Sequence, residues 1–143
     1  MVIAITFSLT TFAQTKEKSK KVTIAAIVKT TFATDFPSKN AKWGMEDTDF
    51  EAEFKINGSN ASAVYDKNGN KKAVELTIKT TELPANVLEY VKINYPKSKI
   101  IEAAKITDDK NALTYEAEIK KEGKSYDVLF DGKGKFIKIV EGD

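Results

Sequence analysis

The chain has 143 residues, 41% of them hydrophobic, enough to bury one ordinary core, and its 23 Lys plus Arg against 21 Asp plus Glu give a net charge of +2. Charge so balanced and interspersed makes no long-range field for nucleic acid or an anionic membrane, so neither is expected as a partner. With no cysteine and no histidine, a Cys/His zinc site, a thiol nucleophile and an imidazole general base are excluded by inventory, while the redox compartment stays unread.

The first segment, MVIAITFSLTTFAQ, is uncharged and apolar from Val2 to Phe12 and ends beside the small residue Ala13. Residues 1–14 thus read as a signal peptide, cleaved near Ala13, and are too short to span a bilayer as a helix. The positive n-region is missing, which leaves open a start further upstream or a buried N-terminal strand or helix. Lys-rich residues 15–21 read as a polar spacer.

A repeat organises the remainder. Phe50-Glu51-Ala52-Glu53-Phe54-Lys55 recurs 65 residues later as Tyr115-Glu116-Ala117-Glu118-Ile119-Lys120, and the same offset carries Gly58 onto Gly123, Tyr65-Asp66 onto Phe130-Asp131 and Gly69 onto Gly134. Upstream, Phe36-Pro37 answers Tyr95-Pro96. Two units follow, 22–79 and 80–143.

Each unit opens with an amphipathic helix. Ile24, Ile27, Val28, Phe32 and Phe36 form one stripe that stops at Pro37, and Val87, Leu88, Val91 and Tyr95 form the other between Pro84 and Pro96. Short one-faced helices gain most of their stability by covering something apolar. Four strands then follow in each unit: around 41–45, 50–56, 61–66 and 72–79, and around 99–106, 115–120, 124–130 and 135–140. Phe50, Ala52, Phe54 and Ile56 alternate with Glu51, Glu53 and Lys55, the pattern of an antiparallel strand with one dry and one wet face. Asn57-Gly58 and Glu122-Gly123 are hairpin turns. The order, helix then four strands twice, gives an α+β fold: two tandem repeats building one continuous antiparallel sheet of about eight strands with both helices on one face.

These motifs, together with Lys42-Trp43, Tyr65-Asp66-Lys67-Asn68-Gly69, Leu83-Pro84 and Phe130-Asp131-Gly132-Lys133-Gly134, resemble the PepSY-like, beta-lactamase-inhibitor-protein-like family of proteins assigned to the periplasm. The resemblance covers nearly all of the chain after the signal-peptide segment. It implies the fold and a periplasmic or secreted location, and no particular activity or cofactor, since fold alone does not carry function.

Candidate sites are few. Glu51 with Glu53 and Glu116 with Glu118 place paired carboxylates on one sheet face, where they could serve acid–base work or a cation, or could form ordinary solvent-facing pairs with Lys55 and Lys120. The Asp66 to Asn70 and Asp131 to Gly134 segments lack the glycine and glutamate positions of a calcium loop and read as tight turns in which Asp accepts from its own backbone and Gly takes a positive φ. No serine has a base partner, so no enzyme is expected, and no metal or cofactor. If Tyr126, Val128 and Phe130 face the helices, Leu129 and its equivalent Val64 point outward. Trp43, with Tyr90 as a lesser candidate, either joins them or lies in the core under the first helix. The expected working surface is the helix-free face with Trp43, Glu51, Glu53, Val64, Glu116, Glu118 and Leu129, on a monomer that grips a protein or peptide of the cell envelope. A structural or accessory envelope domain and a weak small-ligand or metal binder are the alternatives.

Overall fold

The computed structural model describes residues 23–142, so the signal-peptide and spacer readings lie outside the described residues. Helix α1 (Ala26–Asp35) leads into strands β1 (Lys42–Glu46), β2 (Asp49–Ile56), β3 (Ser59–Tyr65) and β4 (Lys71–Ile78). A 3-10 turn, Thr80–Glu82, precedes helix α2 (Ala85–Asn94) and strands β5 (Lys99–Asp108), β6 (Leu113–Lys121), β7 (Lys124–Asp131) and β8 (Phe136–Glu141). All eight strands form one sheet in sequence order, antiparallel throughout.

The repeat is visible in bond geometry as well as in residue types. Asp66 Oδ1 accepts from the backbone N–H groups of Asn68 and Asn70 at 2.8 and 2.9 Å, and Asp131 Oδ1 accepts from Lys133 and Lys135 at 2.9 Å each. Gly69 and Gly134 close these turns at φ of 83° and 75°, a region that side chains avoid. The two expected turns are thus of one kind, with the carboxylate committed to its own backbone. Register shifts fall at Val64/Tyr65 and at Leu129/Phe130, again 65 residues apart. The helix exits match too: Phe36 N–H donates to Phe32 O and Tyr95 N–H to Val91 O, each at 2.8 Å.

Helix α1 is shorter than the apolar stripe from Ile24 to Phe36 suggests. Ile24 lies ahead of its first turn and is nonetheless buried, so periodicity there marks burial and not helix. Ile24, Val28 and Phe32 pack on Ala52, Phe54, Ala61, Ala63 and Tyr65. In the second unit Leu83, Val87 and Val91 pack on Ala103, Ala117, Ile119, Val128 and Phe130. Val74 and Leu76 of β4 touch the first cluster and Ile78 the second, so both helix-bearing clusters share one side of that strand.

Trp43 belongs to this side. It pairs with Ala52 across β1–β2 and its ring meets Phe32 edge-on at 5.4 Å, so the even choice between surface and core resolves to core. Its place on the expected working surface is corrected accordingly, because period-two alternation from Lys42 sends residue 43 toward the helix. Tyr90 likewise stacks on Phe136 at 4.9 Å and meets Phe130 at 5.4 Å.

Candidate functional site

The other side of the sheet carries Glu51, Glu53, Val64, Glu116, Glu118 and Leu129, as alternation places them. Cross-strand pairing assembles them into rows. Glu51 opposes Gly44 and Val64, and Val64 opposes Ala73. One row further along, Glu53, Ser62, Glu75 and Ile106 lie side by side, and beyond that Thr77, Ala104, Glu116, Leu129 and Lys138.

This face is not a uniformly wet one, and here the sequence reading is corrected. Val64 is 2% exposed and Leu129 6%, and together with Ala73, Ile106 and Val140 they form a third apolar cluster with no helix in it. Glu116 is 3% exposed and Glu75 2%, whereas Glu51, Glu53 and Glu118 are half-buried. A right-twisted sheet is saddle-shaped and concave along one diagonal, so side chains near its centre crowd over one another even without a covering layer. Glu116 sits on β6, with neighbours on both flanks, while its repeat equivalent Glu51 lies on β2 beside the edge strand. Position in the sheet, not residue type, separates the two.

The expected lysine pairing also differs. Lys55 lies opposite Asn60 and Lys120 opposite Lys99, so neither stands across from a glutamate. Ion pairs on this face form at its margin instead: Lys42 Nζ to Glu53 Oε2 at 3.4 Å and Lys72 Nζ to Asp49 Oδ2 at 2.6 Å. Glu102 Oε1 accepts from Thr77 Oγ1 at 3.4 Å. Oε2 of Glu75, like Oε2 of Glu46, is buried without a hydrogen-bond partner.

Desolvation and like charge act together on these carboxyls. Burial, reinforced by Asp127, Glu118 and Glu102, pushes Glu116 up to about 8, and burial with Glu51, Asp47 and Asp49 pushes Glu46 up to about 7. Burial, then Glu116, Glu102, Glu51 and Glu46, holds Glu75 well above the usual carboxylate range. Glu51 is raised by burial and Glu53, against a bond from Ser62 and the charge of Lys42, and Glu102 by burial and Glu118, against a bond from Thr77. Glu75 and Glu46 carried no sequence signal as site residues: Glu75 has no equivalent in the repeated hexapeptide, and only the register reveals what it faces.

The pH dependence of stability follows. A carboxyl at 4.5 in the unfolded chain and about 8 when folded holds a proton that the unfolded chain has released. Its favourable contribution is complete below about 4.5 and is lost as pH rises through about 8. The fold is therefore expected to melt at a higher temperature at pH 5 than at pH 8.5. Glu116→Gln, a neutral replacement of the same shape, should match the native chain at pH 5 and exceed it at pH 8.5 by about 2 kcal/mol, a cautious share of the ~1.4 kcal/mol per pKa unit. Thermal melts of both chains check this, and equal stability of the native chain at the two pH values contradicts it.

Among the described residues no three acidic side chains are arranged to hold a metal ion, and no helix is long and apolar enough to cross a membrane.

The family model described as "Putative beta-lactamase-inhibitor-like, PepSY-like" matches residues 47–138. Among solved structures, the chain is similar to one described under "putative periplasmic proteins" from Bacteroides eggerthii, with TM-score 0.76 and 14% identity over 84% of this chain and 90% of that one. It is also similar to a DUF2874 family protein from Bacteroides uniformis, with TM-score 0.74 and 16% identity over 82% and 88%. A BLIP-like protein from Bacteroides fragilis matches with TM-score 0.70 and 16% identity over 87% and 92%. At such identities the likeness shows the fold alone. No curated protein matches the chain.

Proposed function

The chain belongs to the beta-lactamase-inhibitor-like, PepSY-like family, and from that premise we propose that it is a non-enzymatic binding module of the cell envelope that grips a protein or peptide on the helix-free face of its sheet. The observation that carries this reading is the third apolar cluster. Val64, Ala73, Ile106 and Leu129 lie on the side away from the helices, among carboxyls kept from water. A sheet face with a dry centre and a charged margin has the anatomy of a protein interface, an apolar middle with a polar rim. The description of one structural relative as periplasmic supports the location. The kinship with a lactamase-inhibitor shape supports protein binding as the class of activity, without naming the target.

The test uses variants at the margin of this face, where substitution spares the core. Immobilised native chain, Glu53→Lys, Glu118→Lys and the exposed helix variant Glu89→Lys are each challenged with envelope extract, and captured proteins are identified by mass spectrometry. A partner retained by the native chain and Glu89→Lys but lost from Glu53→Lys and Glu118→Lys is the expected result. Equal capture by all four chains places the binding surface elsewhere, and no capture by the native chain favours a purely accessory domain.

A further inference from the structure

Resting on the reading of the helix-free face as the binding face, we propose that its occupant is an extended cationic peptide segment whose Lys or Arg side chains align along a diagonal row of carboxylates, Glu46, Glu51, Glu75 and Glu116. The row is a consequence of register. Glu46 on β1 opposes Asp49 on β2, and Glu51 lies two residues further along β2. Glu75 on β4 stands in the row of Glu53, two residues past Glu51, and Glu116 on β6 stands in the next row again. From Glu51 onward each step crosses two strands and advances two residues, roughly 12 Å on a flat sheet. An extended chain rising about 3.1–3.4 Å per residue covers that step in three or four residues.

The second observation is the orphaned carboxyl at the middle of the row. Glu75 is 2% exposed and its Oε2 has no hydrogen-bond partner, although it faces into the row. Its direct neighbours on this side are Ser62 on β3 and Ile106 on β5, neither a cation. The acidic groups that act on it are Glu116, Glu102, Glu51 and Glu46. The lysines of the face act on the ends of the row and not on its middle: Lys42 bonds Glu53 and lies near enough to Glu51 to favour its ionised form, Lys72 bonds Asp49 and does the same for Glu46, while Lys55 lies opposite Asn60 and Lys138 opposite Leu129. A buried polar atom left unpaired costs free energy, and that cost is recovered when a cation reaches the row.

Carboxylates strung over four strands suit several cations on one chain better than one metal ion, for which no three acidic side chains converge among the described residues. Val64 and Ile106 lie beside the row, across from Glu51 and Glu75. Docking also moves protons. Glu116, pushed up to about 8, is largely protonated at neutral pH in the free chain, and burial and like charge shift Glu75 in the same direction; arriving cations favour the ionised forms, so protons pass to the buffer.

The probe is a synthetic peptide with Lys at every third position among Ser and Gly, with the same peptide carrying Glu in place of Lys as control. Calorimetry on the full chain at neutral pH in phosphate and in Tris, whose ionisation heats differ, reads affinity and proton release together. The Lys peptide is expected to bind with net proton release and the Glu peptide not to bind. Glu116→Gln and, independently, the more accessible Glu51→Gln should each weaken binding about five-fold, as loss of one charge contact does. Glu116→Gln should also reduce the proton release, while Glu122→Gln at the β6–β7 turn changes neither. Absence of Lys-peptide binding, or binding indifferent to both Glu116→Gln and Glu51→Gln, overturns the proposal. Displacement of the peptide by stoichiometric calcium overturns it in favour of a metal site. If the proposal fails while envelope capture still depends on Glu53 and Glu118, only the charge class is wrong; if that dependence is absent too, the binding face itself is misplaced.

Discussion

Leu129→Asp is expected to unfold the second half of the sheet under conditions where the native chain is stable, at a cost of about 4 kcal/mol or more. Leu129 is 6% exposed and contributes to the only apolar cluster on its side of the sheet among the described residues. Removing a buried Leu side chain costs about 2–5 kcal/mol for lost transfer energy and the cavity left behind. The incoming carboxyl would stand directly opposite Glu116, already crowded by Asp127, Glu118 and Glu102. A further desolvated acid there must either give up its hydration to meet Lys138 on its other flank or be held protonated, both at a cost. Urea denaturation reads the loss, and a change below about 1 kcal/mol would mean that the helix-free face is wetter than its burial implies.

Phe130→Ala is expected to cost about 3–5 kcal/mol, the range of core Phe truncations. Its ring is fully buried, meets Tyr90 edge-on at 5.4 Å and lies 6.2 Å from Phe136, so it ties α2 to β7 and β8 at once. The repeat partner Tyr65 does the same for α1, and its hydroxyl also donates to Asp35 Oδ2 at 3.1 Å. Helices of ten residues hold their conformation largely through such contacts, so circular dichroism should show helix signal lost in the same transition as the sheet signal. Survival of the helix signal after the sheet melts would separate the two layers energetically.

Much of this architecture was legible in the residues because each device is local. Alternation through Phe50 to Ile56 assigned faces, Asn57-Gly58 and the Asp66 and Asp131 segments set turns, and the offset of 65 duplicated every assignment. The strands extend one or two residues beyond or short of their expected ends, where pairing partners and not side-chain pattern decide. What escaped the sequence is the wetness of the second face. Alternation says that Leu129 and Glu116 point away from the helices, and it says nothing about whether a twisted sheet of eight strands leaves that side open at its centre. Edge and centre positions carry identical motifs, so Glu51 and Glu116 looked alike although only Glu116 is buried. Trp43 escaped for a simpler reason: a bulky aromatic on a short edge strand fits a binding surface and a core equally well until its cross-strand partner is known.

The account stands on carboxyls kept out of water on the face turned away from α1 and α2. Carboxyl-carbon NMR of the full chain with labelled glutamate, followed from pH 3 to pH 9.5, tests this most directly. Glu116 is predicted to titrate near 8 and Glu46 near 7, with Glu75 titrating well above the usual range for a carboxylate. Titration of Glu75 and Glu116 near their ordinary value of 4.5 would contradict it, because two carboxyls that ionise as if in water cannot form the desolvated acidic row on which the proposed binding face depends.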